Sequence, residues 1–281
     1  MLTELDHIVL VCGDIDAATY NYSKLIGRSP DWTSKNEEDG TSISLFKIGG
    51  TALELLAPSG KGVVGDKLRQ MVSRDGEGLT SLAFACKDIE KTRKQFVRRG
   101  INPSEIGVGA SLDDKTGKRR SWRRMRLDTD LTFGVRQFVL ELDEGSEITS
   151  QASHDDCVSQ LDHVVINSPA PERAASLYGA KLGGELRLDL VREDLASRFQ
   201  FYRIGRASIE IVSRLGEEDK TADDALWGVS WRVKNIEGAH QRLKDNGFQL
   251  TDIRPGRKKD SKVFTVLDRT CNTPTLFIER T

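Results

Sequence analysis

Short runs in which apolar and polar residues alternate are interleaved with stretches whose apolar positions lie three and four apart. LDHIVLVCGDIDAATYNYSKLIG, from Leu5, shows the order: a β-branched run, then Asp14, an amphipathic stretch and Gly27. An aspartate side chain accepts from free N–H groups where a helix starts, and glycine tolerates the left-handed turn that ends one, so this segment predicts a strand followed by a helix. The order returns in LTSLAFACKDIEKTRKQFVRRG from Leu79 to Gly100, from Leu161 to Leu182-Gly183, and in LWGVSWRVKNIEGAHQRLKDNG, where Asn235 takes the cap position. After each helix come alternating runs: SISLFKIG and TALELLAP, SWRRMRLD and RQFVLEL, RFQFYRIG and ASIEIVS, KVFTVLD and TLFIER. Period-two alternation broken by Gly, Asp or Pro reads as antiparallel strands. Four βαβββ units are predicted, two to a domain, in an α+β fold.

The stretch EGSEITSQASHDDCVSQ, Glu144 to Gln160, is polar and aperiodic. It predicts a linker at 144–159 between domains at 1–143 and 160–281. A short helix is expected around Lys67 to Val72, and Glu217 to Leu226 holds the equivalent place in the second half. With 281 residues, each half is long enough to bury its own core. The composition, 37% hydrophobic against 30% charged with net charge −1, is that of a soluble globular protein and gives no bias towards nucleic acid. No apolar run approaches the roughly 18 residues of a membrane span, and MLTELDH lacks a basic-then-apolar signal, so the expected location is cytoplasmic. The four cysteines are scattered and read as small buried thiols, not as a disulfide frame or CxxC site.

The second half repeats the first. LDHIVLVCGDI is answered by LDHVVINSPAP, which places His163 156 residues after His7, and Glu210 follows Glu54 by the same 156. In TALELL, Leu53 and Leu55 share one face while Ala52, Glu54 and Leu56 share the other. With helices over the Leu53 face, Glu54 points away from them, and Glu210 stands likewise against Ile209 and Ile211. A carboxylate among apolar neighbours is costly unless paired or bound to a cation.

On LDHIVLVCGDIDAA, GTSISLFKIGGTALELLAPSG (Gly40 to Gly60) and GLTSLAFACKDIE (from Gly78), the chain resembles the vicinal oxygen chelate superfamily, and within it a glyoxalase-like subgroup. That superfamily includes glyoxalase I, extradiol dioxygenases, methylmalonyl-CoA epimerases and bleomycin or fosfomycin resistance proteins. The resemblance covers nearly the whole chain and implies two tandem glyoxalase-like domains with cup-shaped mixed sheets. It also implies a metal in each cup, held from first strands at His7, Ser81, His163 and Gly228 and from last strands at Glu54, Glu141, Glu210 and Glu279. Each cup then receives one histidine, two glutamates and one poor ligand: His7, Glu54 and Glu141 with Ser81, or His163, Glu210 and Glu279 with Gly228. Crossed pairing of the units gives the same inventory. One imidazole with two carboxylates suits a divalent Mn, Fe, Ni, Co or Zn ion.

The chemistry so implied is metal-assisted proton transfer on a small oxygenated substrate, of lyase, isomerase or epimerase type, with Glu54 or Glu141 as base. An extradiol dioxygenase is an alternative, although Gly228 stands where its second histidine would be. A metal-free binding or resistance protein is another, its ligand held among Trp32, Phe46, Trp122 and Trp231. If one cup works alone, the first half, with the closer subgroup match, is favoured. Basic clusters at Lys115, Lys118, Arg119, Arg120, Arg123, Arg124 and Arg126, and at Arg254, Arg257, Lys258, Lys259 and Lys262, read either as a rim that attracts an anionic substrate or as solvated hairpins. No nucleic-acid partner is expected, and the chain is a monomer or homodimer. His154 in the linker and His240 on a polar helix face are not site candidates.

Overall fold

The structure is a computed structural model describing residues 1–150 and 154–280. Its first unit holds β1 (Leu2–Val11), α1 (Ile15–Ile26), β2 (Trp32–Asn36), β3 (Thr41–Ile48) and β4 (Thr51–Pro58), followed by α2 (Val63–Asp75). The second holds β5 (Gly78–Cys86), α3 (Ile89–Arg98), β6 (Gly107–Leu112), β7 (Arg119–Arg126) and β8 (Arg136–Leu142). In the third, β9 (Gln160–Asn167) leads to α4 (Pro171–Ala175), which runs on as a π-helical turn over Ser176–Lys181, then β10 (Glu185–Arg192), β11 (Ser197–Ile204) and β12 (Ala207–Arg214). The fourth holds β13 (Ala225–Arg232), α5 (Ile236–Asp245), β14 (Arg254–Pro255), β15 (Ser261–Val266) and β16 (Thr275–Arg280). The caps are as the sequence predicts: Asp14 accepts from the N–H groups of Asp16 and Ala17, Asp88 from Lys91, and Asn235 from Gly238.

The strands form two eight-stranded mixed sheets, ordered β2-β3-β4-β1-β5-β8-β7-β6 and β10-β11-β12-β9-β13-β16-β15-β14. Units therefore pair within each half, and crossed pairing is not adopted. In each sheet an antiparallel pair, β1 with β5 or β9 with β13, is flanked by parallel neighbours. The expected α+β architecture of two tandem glyoxalase-like domains is observed. Residues 151–153 of the expected linker lie outside the described residues; around them, Ile148 packs against Trp32, Leu45 and Ala52, and Val158 N–H donates to the Ile26 carbonyl at 2.9 Å.

The halves do not keep separate cores. One continuous apolar cluster joins Leu25, Phe46 and Phe96 to Tyr178, Trp231 and Leu243. Polar contacts buried within it also cross between halves: Gln137 Nε2 donates to Tyr178 Oη at 3.0 Å and Tyr22 Oη to the Thr270 carbonyl at 3.0 Å. Phe46 and Trp231 belong to this core, so neither lines a cup as the sequence suggested.

The sheets differ at their outer edges. In the first, β2 meets β6: Thr33 N–H donates to Asp113 Oδ1 at 2.9 Å, Asp114 N–H to the Thr33 carbonyl at 2.8 Å, and Trp32 Nε1–H to Ser111 Oγ at 2.8 Å. These bonds curl the sheet nearly into a barrel. In the second, β14 is two residues long and ends in a proline, which has no N–H to donate, while β10 lies exposed along its length.

Candidate functional site: two cups of unequal chemistry

A β-bulge sets up each cup. Leu5 and Ile8 both enter the core, and the register slips between Leu5 and His7, so Asp6 and His7 are both left on the cup side of β1. Leu161 and Val164 bracket Asp162 and His163 in the same way. Asp6 Oδ2 consequently lies 2.7 Å from His7 Nδ1, and Asp162 Oδ2 lies 2.9 Å from His163 Nδ1. Neither aspartate is among the residues predicted for the site, although each precedes its histidine and they share the 156-residue spacing.

On the neighbouring parallel strands, the core takes Leu53 and Leu55, and Ile209 and Ile211, which turns Glu54 and Glu210 into the cups as alternation predicts. His7 Nε2 stands 3.9 Å from Glu54 Oε2. His163 Nε2 is 3.0 Å from Glu210 Oε2 and 2.9 Å from Ser230 Oγ. The structure brings His7 together with Glu54, and His163 with Glu210.

Glu141 and Glu279 are not brought to them. Glu141 shares the core-facing side of β8 with Val139, where its Oε2 accepts from the Ile89 N–H at 2.9 Å and from Arg123 Nη2 at 2.7 Å. Glu279 accepts from the Ile236 N–H at 2.8 Å. Both carboxylates cap helix N-termini, α3 and α5, on the face opposite the cups. Register explains the difference: Glu54 pairs with Val9, two residues beyond His7, whereas the second-unit position two beyond Ser81 is Ala83, which pairs with Phe138. In the fourth unit Ser230, two beyond Gly228, pairs with Leu276. The carboxylate positions of the even units are therefore apolar. Ser81 is buried beside β1 with its hydroxyl 3.5 Å from that of Thr80, and a Cβ on Gly228 would meet the Pro274 carbonyl oxygen at 2.7 Å, which leaves no room there for a ligand side chain.

Each cup thus offers one imidazole and one glutamate, its aspartate being engaged on the Nδ1 side of the ring, and among the described residues no group of three His, Cys, Asp or Glu is placed to hold a metal ion. A catalytic divalent site draws on about three protein ligands, so the donor sets present do not fit the expected Mn, Fe, Ni, Co or Zn ion.

The electrostatics of the cups also differ. Burial alone would pull His163 down, but its hydrogen bonds to Asp162 and Glu210 outweigh this and hold it at about 9. Burial pushes Asp162 up, yet His163, Arg232 and Arg280 bring it to about 2. Arg232 Nη2 reaches Asp162 Oδ1 at 2.5 Å and Arg280 donates to Oδ2, so this fully buried carboxylate has three cationic partners. In the first cup Asp6 has His7 as its hydrogen-bonded partner; burial opposes the charged form of His7, but Asp6 and Glu54 together raise it.

A profile described as glyoxalase-like domain matches residues 5–183. The chain belongs to the glyoxalase-like family. A second profile, for the glyoxalase, bleomycin resistance protein and dioxygenase superfamily, matches residues 162–265. No curated protein matches the sequence. Among solved structures, this glyoxalase-like protein is similar to a triple mutant of 4-hydroxymandelate synthase from Streptomyces coelicolor, with TM-score 0.71 and 14% identity over 100% of this chain and 93% of that one. It is similar to the Mn(II)-bound glyoxalase from Novosphingobium aromaticivorans, with TM-score 0.66 and 13% identity over 99% and 82%. A hypothetical protein from Staphylococcus aureus gives TM-score 0.61 and 12% identity over 98% and 99%. Identities this low establish a shared fold. For location, no helix among the described residues is long and apolar enough to cross a membrane.

Proposed function

We propose that the N-terminal cup performs acid–base chemistry on a small oxygenated molecule, and that the C-terminal cup is structural. The observation that carries this reading is Glu54. It is mostly buried, no hydrogen bond from the described residues reaches it, and it stands 3.9 Å from an imidazole whose Nδ1 is already engaged by Asp6. Polar groups in folded proteins are seldom left so, and those that are commonly serve a ligand. Glu54 is placed to take a proton from carbon beside a carbonyl or hydroxyl. His7, fixed in orientation by Asp6, presents Nε2–H to the oxygen on which negative charge develops. Glu210 has no such freedom, because His163 already holds it.

Solvent exchange tests the reading. In D2O, the wild-type protein is expected to speed deuterium incorporation beside the carbonyl of hydroxyacetone or 2-oxobutanoate, followed by NMR, and Glu54→Gln to abolish the effect. Exchange no faster than in buffer, or unchanged in Glu54→Gln, defeats it. Elemental analysis after metal loading is the companion measurement: an ion bound one to one by wild type and lost in His7→Ala would replace this reading with the metal-assisted one.

A further inference from the structure

Of the seven basic residues clustered between Lys115 and Arg126, six remain exposed or partly so, while Arg120 is buried, with 7% of its surface exposed. Its neighbours on β7 divide by face. Arg123 turns to the helix side and pairs with Glu141 and Glu90; Arg120, Trp122 and Arg124 turn into the first cup. The Arg120 guanidinium carbon lies 5.2 Å from the Trp122 ring centre and 5.9 Å from that of Trp32. Trp122 can lie inward because its cross-strand partner is Gly109, where a Cβ would meet the indole at 2.6 Å. Burial disfavours the charge on Arg120, and Asp6 and Glu54, the acids of this cup, restore part of that loss from a distance. No hydrogen bond or ion pair reaches the Arg120 side chain among the described residues, and its buried Nε has no acceptor. An arginine in this state is a rigid fork of donors without a counter-ion.

The geometry points to Arg120 as the anchor for the carboxylate of a small monoanion with an apolar body, bound in the N-terminal cup beside His7 and Glu54. The assignment rests on the reading of this cup as a reaction site and names the class of molecule it takes. A planar carboxylate matches the guanidinium fork in a bidentate pair. Charge favours a monoanion over a dianion: Asp6 and Glu54 already offset His7 and Arg120, so a bound monoanion leaves one excess negative charge in the cup and a dianion leaves two. Leu45 and Ala52, on which Ile148 packs, and Phe138 make the cup walls apolar on either side of these charges.

Three probes of similar shape test it: phenylacetate, its neutral amide and dianionic phenyl phosphate, followed by tryptophan fluorescence and calorimetry. Phenylacetate is expected to bind saturably, with the amide and the phosphate at least about tenfold weaker. Arg120→Gln should erase the preference for acid over amide, Arg120→Lys should retain part of it, and Arg119→Gln, an exposed residue on the other face of the strand, should leave it intact. Equal binding of acid and amide by wild type, absence of saturable phenylacetate binding, or tighter binding of the phosphate each overturns the assignment. These wild-type comparisons decide the matter even if Arg120→Gln fails to fold. The two proposals separate cleanly. Phenylacetate selectivity without catalysed exchange sinks the acid–base reading alone; exchange of 2-oxobutanoate and of neutral hydroxyacetone equally undiminished in Arg120→Gln sinks the anchor alone.

Discussion

His163 is surrounded by partners at hydrogen-bond distance, Asp162, Glu210 and Ser230, while its counterpart His7 has Asp6 on one side and a 3.9 Å gap to Glu54 on the other. The shared register identifies what changed. Ser230 lies opposite His163 where Ala83 lies opposite His7, and Arg232 corresponds to Ala85. Arg280, at the end of β16, corresponds to Leu142 at the end of β8. Three side chains that saturate the second cup are apolar in the first, where Arg120 lies buried with no acceptor at its Nε. The same backbone thus holds a closed network in one half and an open one in the other. A closed network fixes structure, and an open one is free to meet a ligand.

The same substitution made in both halves should separate them most. Glu54→Gln is expected to lower the rate of catalysed deuterium exchange by about 10²–10⁴, the usual worth of a positioned base, and Glu210→Gln to leave it near wild type. Equal losses in both would make the cups equivalent. Next in size is stability. Asp162→Asn strips a buried carboxylate from two arginines and a histidine and should cost about 3–5 kcal/mol in urea unfolding. Asp6→Asn has one hydrogen-bonded partner to lose and should cost about 1–3 kcal/mol.

The pH dependence follows from His163. The folded protein holds this proton with a pKa of about 9 against an ordinary value of 6.5, so its stabilisation is complete below about pH 6.5 and is lost as pH rises through 9. Unfolding free energy should therefore decline across that window and flatten in His163→Ala, and an NMR titration should place the imidazole near 9. The smallest effects belong to Glu141→Gln and Glu279→Gln. As helix caps, each should cost about 0.5–2 kcal/mol without altering exchange. A loss of turnover in Glu141→Gln would return that residue to the site.

The caps Asp14, Asp88 and Asn235 and the inward parity of Glu54 and Glu210 were legible because each depends on neighbours a few residues away. Glu141 and Glu279 were misplaced because matching glutamates by their closeness to a strand end ignores register, and an odd shift along a strand moves a side chain to the other face. Asp6 reaches the cup through a bulge, which no alternation pattern contains. Arg120 is one cation among seven; what singles it out is the closure of β2 on β6, which carries Trp32 over it, and the Trp32–Ser111 bond that makes this closure joins residues 79 apart. Phe46 and Trp231, expected as cup aromatics, sit on the core-facing side of their strands.

The continuous core gives the closed half a standing of its own. Tyr22 and Tyr178 each donate or accept across the boundary between halves, and the helices of both contribute to one apolar cluster. Chemistry can drain from one copy of a duplicated unit without making that copy dispensable, since cutting it away would uncover the part of the shared cluster that the other packs against it. The second half serves the first as a permanently tethered companion, always present at a concentration no separate chain could match.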